Sequence, residues 1–184
     1  MDDSDEILML KTGTGDREAF RRLLDRHLRR TVAFAARVLG NHAAAEDVAQ
    51  EAFLRLWSHA PHWQPTARLT TWLHRVALNL CLDVRRRGRD VALDDVAEPL
   101  DPAPSPLACV QVRDLGRHVN TALAELPVQQ RVAITLCHYQ GLRNTEAAEV
   151  MGVSVEAVES LLARGRRTLR ARLKALLPDL LGEE

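Results

Sequence analysis

The densest chemistry in this sequence lies between Thr145 and Lys174, where four acids precede a ladder of bases. Glu156 and Glu159 are followed by Arg164, Arg166, Arg167, Arg170, Arg172 and Lys174, with no acid from Ala163 to Lys174. Arginine reads guanine through a bidentate fork, and glutamate accepts from the cytosine amino group. The remaining guanidinium groups would neutralise phosphates and make binding fall with salt. Ser160, Arg164 and Arg167 recur at helical spacing, which puts them on one face of a helix. This is nucleic-acid chemistry. Signatures of catalysis are missing: the histidines form no HExxH, none follows a glutamate by three positions, and no GxxxxGK[ST] occurs. Cys81, Cys109 and Cys137 are odd in number, widely spaced and without CxxC, which predicts reduced thiols rather than a zinc site. His138 next to Cys137 falls on a different helix face, so the two read as separate structural residues. No catalytic, cofactor-binding or metal-ligating set is assigned.

The elements that must position these groups are all helical. TEAAEVMGVSVEAVESLLARGRRTLRARLK reads as a helix-turn-helix. In it Ala148 allows close approach, Gly152 ends the first helix, Ser154 caps the second and Val158 anchors it. Such a unit presents its second helix to the major groove. Upstream, three amphipathic blocks run from Phe20 to Leu39, Val48 to Trp57 and Leu69 to Val84. Gly40-Asn41 ends the first, Pro61 and Pro65 the second, and the third finishes in Arg85, Arg86, Arg87, Gly88 and Arg89. Four of the eight prolines fall within Val91 to Ala108, where acids also concentrate, which predicts an acidic linker. Helices near 112–125 and 128–140 then lead into the helix-turn-helix. The expectation is an all-α fold of two small helical domains, 1–90 and 112–184, joined by a linker over 91–111. Net charge is zero, but acids and bases are segregated, and local patches set the field that a phosphate backbone meets. No apolar run approaches the roughly 18 residues a bilayer requires, and MDDSDE lacks the order of a signal peptide. A cytoplasmic protein without membrane insertion of its own is expected.

The longer motifs resemble the extracytoplasmic-function class of bacterial sigma factors, the small members of the sigma-70 family. Leu39-Gly40-Asn41, Glu46-Asp47-Val48-x-Gln50-Glu51-x-Phe53-Leu54-x-x-Trp57, Trp72-Leu73-x-Arg75-Val76-Ala77-x-Asn79 and Asp83-x-x-Arg86-Arg87 look like region 2. Ala122-Leu123-x-x-Leu126-Pro127-x-x-x-Arg131 and the helix-turn-helix look like region 4. The resemblance covers nearly the whole chain. It implies a non-enzymatic subunit that gives RNA polymerase core its promoter specificity, with the β′ clamp helices, the β flap, promoter DNA and an anti-sigma factor as partners. Glu46, Asp47, Gln50 and Glu51 would face the polymerase, with Val48, Phe53, Leu56 and Trp57 on the core side. The third block and the loop Ser58 to Arg68 would handle the minus-ten element. That role implies His62, Trp63, Gln64 and Asn79 at an unstacked base and Arg85, Arg86, Arg87 and Arg89 on phosphates. Trp72 either stacks or, as its spacing with Leu69, Leu73 and Val76 favours, joins the core.

At the minus-35 surface the resemblance implies contacts from Ser154, Glu156, Glu159, Ser160, Arg164, Arg166 and Arg167. Here the sequence departs from its relatives. Many carry Gly-Thr-Val-Lys/Arg-Ser-Arg, whereas this chain has Glu156-Ala157-Val158-Glu159-Ser160-Leu161. Either glutamate reads cytosine, or one repels phosphate and narrows the choice of site. The alternative function is a stand-alone helix-turn-helix regulator with an N-terminal dimerisation or sensing domain; such a protein would shift operator DNA without polymerase. A helical binding protein with no DNA role would show no salt-dependent DNA affinity.

Overall fold

The computed structural model describes residues 3–64, 68–91 and 110–181, and among them there is no β-strand. The first unit holds α1 (Asp5–Gly13), α2 (Arg17–Leu39), α3 (His42–His59) and α4 (Leu69–Val91), with a 3-10 turn at Ala60–His62. The second holds α5 (Val110–Ala124), α6 (Val128–Ile134), α7 (Asn144–Met151) and α8 (Val155–Leu181), with a π-helical turn at Thr135–Tyr139. None of the described helices is long and apolar enough to cross a membrane.

Local chemistry sets the boundaries. Asp16 accepts from the amides of Glu18 and Ala19 at 2.9 and 3.0 Å to start α2, and Asn41 accepts from Ala44 at 2.9 Å to start α3. Between them Gly40 ends α2 at φ 77°, a conformation that costs glycine little. Helix α1 was not expected from periodicity. It is short, and its acids look like a solvated terminus until the fold supplies partners. Asp3 pairs with Lys11 at 2.7 Å and Arg22 at 3.1 Å, while Asp5 pairs with Arg26 at 2.9 Å and His27 at 2.7 Å. Those ties lay α1 on α2 and bury Leu8, Met9 and Thr12. Gly13 then passes so close to the 3-10 turn that a Cβ there would lie 2.6 Å from the Ala60 carbonyl oxygen.

Leu23, Phe34 and Val38 from α2, Val48, Phe53 and Leu56 from α3, and Leu73 and Ala77 from α4 form the core of the first unit. Burying each large side chain is worth about 1.5–3 kcal/mol, which is what holds α4 in place. In the second unit Val132, Ile134, Leu136, Ala147, Val158 and Leu162 are buried together. The expected helix over 128–140 is not uniform. The Thr135 hydroxyl bonds back to the Arg131 carbonyl at 2.8 Å, and the Gln140 amide takes the Thr135 carbonyl at five-residue spacing. The linker expected at 91–111 is helical at both ends, at Val91 and from Val110. Residues 92–109, including Cys109, lie outside the described residues.

The two units are packed together, an arrangement the sequence left open. Arg30 donates through Nη2 to the Gln140 carbonyl at 2.7 Å, and Gln140 donates through Nε2 to the Arg30 carbonyl at 3.3 Å. The Arg37 guanidinium sits 4.2 Å above the Tyr139 ring. Arg68 pairs with Glu146 at 3.2 Å. Arg131 is only 5% exposed. Its Nη1 donates to the Val38 carbonyl at 3.1 Å, and its Nη2 donates to the carbonyls of Leu126 at 3.1 Å and Ala124.

Candidate nucleic-acid interface

Helix α8 is divided by the partners of its two sides. Val158, Leu162 and Gly165 form the inward stripe, and Gly165 lets α8 lie against α6, since a Cβ there would sit 2.6 Å from Ile134 Cδ1. Away from that stripe Glu156, Glu159, Ser160, Arg164 and Arg167 are exposed, as is Arg166 at its flank. Gly152 turns the chain out of α7 at φ 65°, and Ser154 Oγ accepts from the Ala157 amide at 3.2 Å to start α8. The Ser154 hydroxyl is thereby engaged in capping. Glu156 is engaged locally too. Hydrogen bonds from its own amide and then from Ser154 hold its carboxyl below the usual range, as suits an acid at a helix N-terminus. Glu159 accepts from Asn144 Nδ2 at 3.4 Å, which braces it against the first residue of α7. Further along, Arg172 pairs with Glu125, while Arg170 and Lys174 are exposed.

The second surface lies on α4 and the turn before it. Asn79 is exposed, one helical turn from the exposed Arg75. Arg86 and Arg87 are exposed, with Arg86 bonded to Asp83 at 3.0 Å. Arg85 differs: it is half-buried, and its charge bears on both Cys81 and Arg131. The side chain of Arg89 lies outside the described residues. His62 and Gln64 are exposed, as a loop contact requires, but Trp63 is not an open stacking surface. It is 9% exposed and meets His59 and Trp72 edge-on, with ring centroids 6.1 Å away in both cases. The apolar ring is held inward by the 3-10 turn that Pro61 opens. The parallel pair is instead His59 on Trp72, 5.3 Å apart at 9°, with both rings bordering a shallow depression lined by Leu54, Arg55 and Ser58. Trp72 is half-buried, between the two readings the sequence allowed. His59 went unnoticed in the sequence because nothing marks a lone histidine at a helix end.

The third surface is a groove between α2 and α3. Glu46, Asp47 and Gln50 are exposed, and Glu51 is half-buried and paired with Arg55 at 2.8 Å. Val48, Phe53 and Leu56 face inward as expected, and Trp57 packs edge-on to Phe20 at 5.0 Å. Beside the acids runs an apolar groove of about 440 Å³, lined by Phe20, Leu24, Leu28, Val32, Phe53 and Leu54 and rimmed by Glu46 and Gln50. Leu54 is 56% exposed and Leu28 37%. The sequence reading treated the acids as the docking feature and missed these leucines. The available signal was Leu54 itself, a large apolar residue off the buried stripe of its own helix.

Comparison with known proteins covers both units. The family model described as Sigma-70 region 2 matches residues 23–91, and that described as Sigma-70, region 4 matches 117–169. The chain is 38% identical to the ECF RNA polymerase sigma factor SigE of Mycolicibacterium smegmatis over 85% of its length, and it spans 63% of SigE. It is 31% identical to the RNA polymerase sigma factor CnrH of Cupriavidus metallidurans, over 95% of this chain and 96% of that one. The structure of CnrH in complex with the cytosolic domain of CnrY matches at a TM-score of 0.71 and 30% identity, covering 94% of this chain and 99% of that one. The sigma factor RpoE from Bartonella quintana, in complex with the anti-sigma factor NepR, matches at 0.72 and 26% identity over 84% and 96% of the two chains.

Proposed function

Because this chain belongs to the sigma-70 family, in its extracytoplasmic-function class, we propose that it directs promoter-specific initiation by RNA polymerase through three surfaces of its own. The α2–α3 groove, with Leu28 and Leu54 inside and Glu46, Asp47, Gln50 and Glu51 around it, docks on the β′ clamp helices. Apolar contact supplies the affinity there, and the acids fix orientation and partner. Asn79 meets the unstacked minus-ten base with its amide, flanked by His62 and Gln64. The His59–Trp72 pair provides the stacking surface nearby, and Arg86 and Arg87 hold phosphates. Helix α8 enters the major groove at the minus-35 element with Ser160, Arg164 and Arg167 foremost, while Arg166 contacts the backbone. Region 4 also meets the β flap. Glu159, exposed on α8 and held in place by Asn144, sets base preference together with Glu156 at the helix terminus.

The observation that carries this reading is the division of α8, apolar and close-packed on one side and exposed, basic and polar on the other. The chain performs no catalysis of its own; phosphodiester chemistry belongs to the polymerase, and the site of action is the cytoplasm. CnrH and RpoE are each held by a second protein in their structures, and by that likeness an anti-sigma factor regulates this chain. The test is runoff transcription with core polymerase on genomic templates. Specific transcripts that depend on this chain support the reading, and DNA binding without polymerase or transcripts refutes it.

A further inference from the structure

Base preference on α8 turns on where the Glu159 carboxylate points, and a second side chain decides that. Asn144, the first residue of α7, donates through Nδ2 to Glu159 Oε1 at 3.4 Å. Its other amide atom, Oδ1, lies 3.7 Å from Cys137 Sγ in the π-helical turn and accepts from that thiol. The amide can stand only this way round. A carboxylate offers acceptors alone, so the amino group faces Glu159 and the carbonyl is left for the S–H donor. Burial, opposed by the Arg166 charge, raises the Cys137 pKa above its ordinary value, so the thiol keeps its proton at neutral pH. Ala147 and Ala148 of α7 and Val158 of α8 are buried in one core, which makes the frame around this amide rigid.

A glutamate side chain loose in solvent spreads its carboxylate over many rotamers, and ordering it at a base edge costs entropy. Held by Asn144 through Oε1, Glu159 keeps Oε2 free of bonds from the described residues. One acceptor in the major groove suits one base above the others. Cytosine presents its N4 amino group without a neighbouring acceptor. Adenine sets N7 beside its amino group, and guanine and thymine offer acceptors there. Glu159 lies in the second turn of α8, beside the exposed Ser160, in the part of a recognition helix that reaches base edges.

We propose that Asn144 is a positioning residue for promoter choice: it fixes Glu159 Oε1 so that Oε2 accepts from a cytosine amino group in the minus-35 element. This rests on the function proposed above. The experiment is runoff transcription by core polymerase with the full chain on a pool of templates. The pool is a transcribed genomic template with its minus-35 segment randomised, each member carrying a transcribed barcode read by sequencing. The wild type is expected to favour cytosine over thymine at one position by about five- to tenfold, the low end for a base contact because a single bond is made. Glu159→Gln should move the preference at that position to adenine, which an amide pairs through both N6 and N7. Asn144→Ala should cut the cytosine preference to about twofold, because the carboxylate is no longer held in advance, with the unfolding midpoint by circular dichroism kept. In a Glu159→Ala background the same change should have no effect at that position, since no carboxylate remains to be oriented. If Asn144→Ala unfolds the chain, Asn144→Asp supplies the contrast, because an acid suits the first turn of α7 and cannot donate to Glu159. A wild type without cytosine preference, full preference in a folded Asn144 variant, or an effect that persists in the Glu159→Ala background would overturn the relay. So would an equal loss on every template, which would make Asn144 a phosphate contact. Transcripts from no template with any form would sink the promoter reading itself, and the relay with it.

Discussion

Replacing Arg131 by methionine tests whether one buried guanidinium organises the start of the second unit. Arg131 holds the carbonyls of Ala124 and Leu126, which lie at the end of α5 where helical partners run out, and it also reaches Val38. Burial, and then the nearby charge of Arg85, lower its pKa to about 10, so the charge persists at neutral pH. Methionine fills much of the volume but leaves three buried acceptors without donors. Each would cost about 1–3 kcal/mol, offset in part because a desolvated charge is also removed. A net loss of about 3 kcal/mol follows, or roughly 12–24 °C in the unfolding midpoint of a unit this size. Arg131→Lys keeps the charge but not the planar fork, and should lose about half as much. The assay is thermal unfolding of the full chain followed by circular dichroism. A methionine variant within about 3 °C of the wild type would refute the reasoning.

Leu54→Asp should weaken core polymerase binding by about tenfold or more while leaving the unfolding midpoint nearly unchanged, because the side chain is 56% exposed; an equilibrium binding titration checks it, and unaltered affinity would remove the groove from the docking surface. Gly13→Ala should destabilise by about 1–3 kcal/mol, since its Cβ would meet a backbone oxygen, Ala60 O, at 2.6 Å; a raised melting temperature would contradict that packing. Asn79→Ala should impair promoter opening, read by permanganate reactivity, with polymerase binding intact; loss of binding instead would make the residue structural. Burial holds the pKa of His74 below its ordinary 6.5, the hydrogen bond to the Thr70 carbonyl opposing this. The unfolded chain therefore takes up a proton that the native ring resists, so stability falls as pH drops below about 6.5, by at most about 1.4 kcal/mol per unit. Denaturant titrations at pH 7 and 5.5 should show the fall, and His74→Gln should reduce it.

Much of this molecule is legible in order along the chain. Apolar residues at helical spacing, Ser154 as a cap, and Gly40-Asn41 and Gly152 as terminators mark α2, α3, α7 and α8 because each signal acts within a turn or two of backbone. The free basic face of α8 is legible for the same reason: six bases without an acid cannot all turn inward. Tertiary structure decided what depends on distant partners. Asp3 and Asp5 tie α1 to the bundle only because Lys11, Arg22, Arg26 and His27 stand opposite them. Trp63 turned inward because His59 and Trp72 provide an aromatic wall. Leu54 gained meaning as one side of a groove whose other side is α2. The contact of Arg30 with Gln140 spans 110 positions, and no local pattern announces it. Helix signals act locally and so are written in the sequence, whereas a docking groove and a closed pair of domains exist only once separate helices meet.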